Sequence, residues 1–158
     1  MKLTRIAVLT LLASSAAFAQ LPSVKFLTLD VALAIAQEAM AKCHADGYKV
    51  TVRVVDSSNV LKAFLRDDGT PRSNVEFARM KATTAVTYGR PSGPPANLPP
   101  GAPVPPPAIP GTTNGAGGVP IKVGDQLIGA IGVRGAPGGD KDAPCANFAL
   151  TKLADRMK

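Results

Sequence analysis

Two basic side chains of the sequence have the chemistry to hold an anionic ligand. Arg66 ends a predicted strand in the run Arg66-Asp67-Asp68-Gly69, and Lys81 lies on a predicted helix. Guanidinium and ammonium groups bind carboxylates through charge-assisted hydrogen bonds. A salt bridge at the strand end and solvated helix charges explain the same residues. From spacing alone, this second interpretation is the better supported.

A glycine-rich segment, Gly135 to Asp142, lies between a predicted strand and a predicted helix. Backbone N–H groups and the helix dipole favour anions at such a position. The spacings of dinucleotide-binding and P-loop motifs are absent, however. Asp140 and Asp142 would also repel a phosphate. The pattern favours a tight structural turn with capping carboxylates.

The sequence contains one histidine, His44. It is chemically adequate as an axial ligand of haem iron. Its position near the end of a predicted helix equally suits an exposed residue whose charge faces the negative end of the helix dipole. No HExxH, CxxC or CxxCH motif occurs, so the sequence predicts neither a metal centre nor covalently attached haem. No residue is predicted to be catalytic.

The first residues have the three parts of an export signal. Lys2 and Arg5 are followed by an apolar run from Ile6 to Ala17, and Ala17 and Ala19 are the small residues that a signal peptidase requires. The run is shorter than the about 20 apolar residues that span a bilayer. We therefore predict a signal peptide over 1–19, a single domain over 20–158 and a periplasmic or secreted protein.

Two cysteines, Cys43 and Cys145, remain in the predicted mature chain. Export places them in an oxidising compartment, where an even number of cysteines favours a disulfide. Two buried free thiols are the alternative. A metal site is less well supported, because the two residues have no clustered partner.

Composition limits the classes of partner. The formal charge of +7 falls to +5 without Lys2 and Arg5, because each contributes one positive charge. This mild positive charge attracts anionic ligands. There is no tryptophan and no block of consecutive basic residues, so a nucleic-acid partner is not expected. We also predict no transmembrane segment in the mature chain.

The first half of the mature chain is predicted to form a helix, a hairpin and a second helix. Thr28 caps a predicted helix from about Leu29 to Asp46, whose apolar stripe includes Cys43. Tyr48 to Val55 alternates as a strand with one buried face, and Val60 to Arg66 pairs with it as a hairpin. Ser73 and Glu76 form a capping box for a second helix that ends near Tyr88.

The second half begins with a Pro/Gly-rich loop over 91–118, in which ten of the residues 91–110 are proline. Such a segment predicts an extended or mobile insertion. A second hairpin over 119–133 and a final helix capped by Asp140 or Asp142 follow. Two hairpins imply antiparallel pairing, so the fold class is α+β.

Several blocks in this order resemble the HbpS/GlcG-like haem-binding family, often described as haem-degrading. They are Val54–Asp56, Arg66–Gly69, Ala78–Ala85, Gly117–Ile121, Ile128–Gly135 and Gly139–Asp142. The resemblance covers about Thr28 to Leu153, apart from the proline-rich insertion. It implies an antiparallel sheet flanked by N-terminal, middle and C-terminal helices, and assembly into homo-oligomers with ligand pockets near protomer contacts.

The resemblance also implies a set of ligand-binding residues. These are Arg66, Lys81, Gly118, Gly135 and Asp142, and we add Arg134, which stands where many members have a small residue. His44 is the candidate axial ligand. With the first and last helices on one side of the sheet, as in the family, Cys43 and Cys145 can form a disulfide.

We therefore expect a secreted protein that binds haem or another tetrapyrrole, with Arg66, Lys81 and Arg134 holding propionates. One alternative is an enzyme that degrades haem; a single histidine and no obvious redox partner make it weaker. Another is an oligomeric protein that binds a small organic acid in the same basic pocket.

Overall fold

The protein is described here from a computed structural model. It describes residues 23–94, 99, 101–104, 106–107 and 109–158. The predicted signal peptide, 1–19, lies outside these residues. Within the described part, no helix is long and apolar enough to cross a membrane.

Four strands form one antiparallel sheet, which contains the two predicted hairpins. The strands are β1 (Thr51–Asp56), β2 (Leu61–Arg66), β3 (Gly118–Val123) and β4 (Gln126–Arg134). Their order across the sheet is β2-β1-β4-β3, so the two hairpins are joined through the β1–β4 pair. The α+β class is confirmed.

Three helices cover the sheet: α1 (Leu29–Ala45), α2 (Arg72–Tyr88) and α3 (Gly139–Lys152), with a 3₁₀ turn at Ala154–Met157. Helices α1 and α3 pack against each other and bury the larger core on one face. Helix α2 packs on the other face, against β4, β1 and β3. This face holds a smaller apolar cluster of Val55, Ala82, Ala85, Val86 and Ala130.

The prediction that β1 has only one buried face is wrong. Val52 and Val54 are buried in the larger core as expected, but Thr51 and Val55 on the opposite face are also fully buried. The alternation of side chains predicts one buried face only. It cannot reveal that α2, which follows in the chain, returns to cover the other face.

Two predicted helix caps are also wrong. Helix α2 begins at Arg72 after Pro71, and no side chain caps it, so Ser73 lies inside the first turn. Helix α3 is preceded by Gly138 rather than by Asp140 or Asp142. The Thr28 cap of α1 is confirmed, since its side chain accepts from the Val31 N–H.

The loop between α2 and β3 contains no helix or strand among its described residues. Its two ends are tied to the domain by side-chain hydroxyls. The Ser92 hydroxyl accepts from the Gly118 N–H at 2.7 Å, and the Thr84 hydroxyl accepts from the Thr113 N–H at 2.8 Å. That residues 93–116 are the most mobile part of the mature protein stays a prediction.

The predicted disulfide between Cys43 and Cys145 is confirmed. Their Cα atoms are 5.5 Å apart, and both residues are fully buried. The bond joins α1 to α3, which lie on the same side of the sheet as the family resemblance implied.

Candidate functional site

The predicted site residues converge on one end of the sheet. In the register, Thr51 at the start of β1 is opposite Arg66 at the end of β2 and Arg134 at the end of β4. Gly118, at the start of β3, is opposite Gly132 near the same end of β4. Because antiparallel strands alternate in direction, residues from both strand starts and strand ends meet there.

Lys81 and Asp142 form a buried ion pair at this end. The Lys81 Nζ donates to Asp142 Oδ2 at 2.6 Å and to the Val133 carbonyl at 2.8 Å. The other carboxylate oxygen, Oδ1, accepts from the Ala136 N–H at 2.9 Å. The two side chains are 2 % and 0 % exposed. The pair therefore ties α2 on one face of the sheet to α3 on the other, past the end of β4.

The electrostatics of Lys81 reflect opposing effects. Burial lowers the pKa of Lys81 below its ordinary value of 10.5, and the positive charge of Arg134 adds to this effect. The charge and hydrogen bond of Asp142 raise the same pKa but do not fully compensate. Two of the three N–H donors of this ammonium are bound within the protein, one by a carboxylate and one by a carbonyl. In this geometry Lys81 organises the site rather than facing solvent.

Gly118 and Gly135 allow close backbone contacts around this pair. A Cβ on Gly118 would lie 2.1 Å from the Lys81 carbonyl oxygen. Gly135 has a φ of +150°, and a Cβ there would lie 2.2 Å from the Lys49 carbonyl oxygen. Both glycines are therefore required for packing.

Arg66 and Arg134 flank Thr51 on the face of the sheet that α2 shares. Neighbouring strands lie about 4.8 Å apart, so the two arginine backbones are separated by about 10 Å. The Arg134 guanidinium lies 5.3 Å from the ring centroid of Phe77 on α2. An Arg66 Nη2 donates to the Thr70 carbonyl, and the residue is otherwise exposed.

Sequence reasoning missed further members of this face. Arg53, two residues after Thr51, projects from the same side of β1 and is paired with Phe64 of β2. Phe64 and Phe77 are 38 % and 40 % exposed, which is high for aromatic rings. We call Thr51, Arg53, Phe64, Arg66, Phe77 and Arg134 the basic face. The alternation along β1 indicates that Arg53 and Thr51 share a face of the sheet. It does not indicate which helix covers that face.

Arg79 shows how a carboxylate is held beside this face. Its Nε donates to Glu76 Oε2 at 2.9 Å and its Nη2 to Glu76 Oε1 at 2.5 Å, a two-point contact. The hydrogen bond to Arg79 lowers the pKa of Glu76. Burial lowers the pKa of Arg53, and the charge of Arg79 lowers it further. The charge of Glu76 raises the pKa of Arg53, so the Glu76 carboxylate is the anion that the chain itself places near both arginines.

His44 does not lie on the basic face. Its Nε2 is 2.8 Å from both oxygens of Asp67, and its side chain is 49 % exposed at the end of α1. Asp67 also accepts from the Val50 N–H at 2.7 Å. The histidine is thus directed at an acidic partner, in the layer of α1 rather than that of α2. Among the described residues, no group of three or more His, Cys, Asp and Glu side chains is placed to hold a metal ion.

Comparison with known families matches most of the chain. The sequence model of the family described as "Haem degrading protein HbpS-like" matches residues 27–151. No curated protein matches the chain in sequence.

Solved structures agree with this match. The crystal structure of HbpS is 34% identical, with a TM-score of 0.72, over 88% of this chain and 98% of that one. A double mutant of HbpS from Streptomyces reticuli is 31% identical, with a TM-score of 0.71, over 89% and 98%. The structure of a PduOC:heme complex has a TM-score of 0.68 over 80% and 94%; at 20% identity it shows a shared fold alone.

Proposed function

The chain belongs to the HbpS-like family, and on that premise we propose that it binds haem or a related tetrapyrrole on the basic face. The support from relatives is the family description; the PduOC:heme complex contributes only the shared fold. The support from this chain is the chemistry of the face itself.

One observation carries the proposal: two arginines flank Thr51 beside two half-exposed aromatic rings. Haem combines a flat apolar ring with two propionate carboxylates. Phe64 and Phe77 present apolar surface for such a ring, since each keeps more than a third of its area exposed. The backbones of Arg66 and Arg134 are about 10 Å apart across the sheet, so each side chain can donate to one carboxylate.

The fit to haem can be tested on the atoms of this face. Thr51 Oγ1, Arg53 Nε and Arg134 Nε are buried without a hydrogen-bond partner in the described part of the chain. Such donors are costly to bury unpaired, so an acceptor-rich group fits the site. Bound haem would supply iron chemistry; the residues of this chain bind and orient its carboxylates.

Lys81 and Asp142 take an indirect part in this proposal. Their pair fixes the end of β4, and Arg134 directly follows Val133, whose carbonyl accepts from Lys81. Gly118 and Gly135 allow the backbone to pack around the pair. We propose that these four residues position Arg134 rather than touch the ligand.

Location and assembly belong to the same proposal. We propose export to the periplasm or the exterior, which is supported by the predicted signal over 1–19 and by the buried disulfide. Assembly into a homo-oligomer, implied by the resemblance, stays a prediction.

The test is titration of the purified mature protein with haem, followed by the Soret band. The proposal predicts a saturable spectral change with a fixed stoichiometry. His44→Ala should leave the band position of the complex unchanged, because its Nε2 is bound to Asp67. Absence of saturable binding would reject the function, whereas a shifted band in His44→Ala would assign His44 as an axial ligand.

A further inference from the structure

The three unpartnered polar atoms of the basic face belong to neighbouring residues of β1 and β4. Among the buried side-chain nitrogen and oxygen atoms of the described residues, only Thr51 Oγ1, Arg53 Nε and Arg134 Nε have no hydrogen-bond partner. Thr51 is directly opposite Arg134 in the register, and Arg53 is the next residue on the same side of β1. Diagonal neighbours of this kind are about 7–8 Å apart, within reach of long side chains.

These atoms differ from most buried polar groups. Buried side-chain donors normally have a partner in the protein or in ordered water. Thr51 is 0 % exposed, so its hydroxyl is not turned to bulk solvent. Two arginine nitrogens and one hydroxyl, on neighbouring residues of the sheet, therefore lack a hydrogen-bond acceptor from the described part of the chain, although the Glu76 carboxylate acts on Arg53 through its charge.

The neighbouring pair of Arg79 and Glu76 identifies the matching acceptor. Arg79 binds the Glu76 carboxylate through Nε and Nη2, along the side edge of its guanidinium. Arg53 and Arg134 each have this same edge unpaired at Nε. A carboxylate is planar and accepts two parallel N–H bonds from such an edge, and a threonine hydroxyl can donate a further bond.

The surroundings favour a carboxylate attached to a flat ring. Phe77 lies over Arg134, with 5.3 Å from the guanidinium carbon to the ring centroid, and it is 40 % exposed. Because the Phe77 ring, on α2, covers Arg134, a ligand reaches the donors either by displacing this ring or by stacking on it. Phe64, opposite Arg53, provides a second exposed ring.

We infer that Thr51, Arg53 and Arg134 form a binding site for planar aromatic carboxylates that does not require haem. The guanidinium edges hold the carboxylate, the Thr51 hydroxyl donates to it, and the Phe77 and Phe64 rings contact the ring of the ligand. The inference extends the proposed haem function and shares its face, but a small aromatic acid is sufficient to occupy the site.

The experiment is calorimetric titration of the mature protein with benzoate, with benzamide and sulfate as matched probes. Benzamide keeps the ring without the charge, and sulfate keeps the charge without the ring. We expect saturable benzoate binding and at least about tenfold weaker binding of both other probes, because a charge-assisted hydrogen bond is worth about 1.5–3 kcal/mol and 1.4 kcal/mol is tenfold. Equal binding of sulfate or benzamide would overturn the inference.

Variants locate the site. Arg53→Gln and Arg134→Gln should each weaken benzoate at least about tenfold, and Thr51→Val by less, since one neutral donor is lost. Arg134→Lys keeps the charge but lacks the two-point edge, so it should also weaken benzoate. Arg156→Gln is the control: Arg156 lies beside Asp30 of α1, on the other face of the sheet. Thermal unfolding of each variant verifies that it is folded.

Parallel haem titrations separate this inference from the proposed function. Benzoate binding that Arg53→Gln and Arg134→Gln abolish, in a protein that does not bind haem, would reject the haem function and retain the carboxylate site. Haem binding with no benzoate binding would reject the carboxylate site and retain the haem function. Benzoate binding that these variants leave unchanged would also overturn the inference.

Discussion

Lys81 and Asp142, 61 residues apart in sequence, form a salt bridge of 2.6 Å that is closed to solvent. The pair joins helices on opposite faces of the sheet and is completed by the Val133 carbonyl and the Ala136 N–H. The two residues therefore act as one unit that fixes the strand end carrying Arg134.

The first prediction concerns this unit. Lys81→Met should destabilise the protein by about 3–5 kcal/mol, because it leaves a buried carboxylate without its partner. The double variant with Asp142→Leu should recover most of that loss, since two apolar side chains remove both charges. Urea unfolding with the disulfide intact measures both. Additive losses in the double variant would mean that the two residues are not coupled.

The second prediction concerns alkaline pH. Burial lowers the pKa of Lys81 below 10.5, so the unfolded chain binds this proton more tightly than the folded one. Between the lowered value and 10.5 the unfolded state holds more protons, and the free energy of unfolding rises with pH. Wild type should therefore gain stability relative to Lys81→Met as pH rises through this window. If the stability difference between wild type and Lys81→Met becomes smaller as pH rises, the pKa of Lys81 is raised in the folded state rather than lowered.

The third prediction concerns the disulfide. Its cysteines are separated by 102 residues, and closing a loop of about 100 residues stabilises a fold by about 4.7 kcal/mol in the chain-entropy model. The Cys43→Ala, Cys145→Ala double variant should lose stability of this order in chemical unfolding. Thiol counting on unfolded, unreduced wild-type protein should find no free thiol, and two thiols per chain would contradict the bond.

The fourth prediction concerns Gly118. An added Cβ would lie 2.1 Å from the Lys81 carbonyl oxygen, so Gly118→Ala must push α2 away from β3. We expect a loss of about 1–3 kcal/mol, the range for overpacking. Gly115→Ala is the control, because its nearest atom would be 3.4 Å away and it has no left-handed φ. Equal unfolding midpoints of the two variants would show that the backbone contact is not restrictive.

The sequence was most informative where local pattern and chemistry coincide. The helical spacing that places Cys43 on an apolar stripe, together with the family-like arrangement of α1 and α3, predicted the disulfide. The two hairpins predicted the β1–β2 and β3–β4 pairs, because a tight turn determines which strands pair; the β1–β4 pair does not follow from a turn. The family blocks identified Lys81 and Asp142 as important, although they did not reveal that the two residues bind each other.

The basic face was less accessible to sequence reasoning. Thr51 and Arg53 have the alternation of a solvent-facing strand, and only the return of α2 buries Thr51 and partly covers Arg53. Phe77 and Arg134 are 57 residues apart, and nothing local to either indicates their 5.3 Å contact. Contacts of this kind depend on how elements that are distant in sequence pack against each other. No local pattern in a single sequence predicts that packing.

The central claim is that the basic face binds haem through Arg66 and Arg134. Its most direct test is the haem dissociation constant of Arg66→Ala and of Arg134→Ala, compared with wild type and with Arg156→Ala. Each loss of a charged hydrogen bond should weaken binding by about 1.5–3 kcal/mol, at least about tenfold, while the Arg156 control stays at the wild-type value. Wild-type affinity in both Arg66→Ala and Arg134→Ala would contradict the account and place the ligand elsewhere.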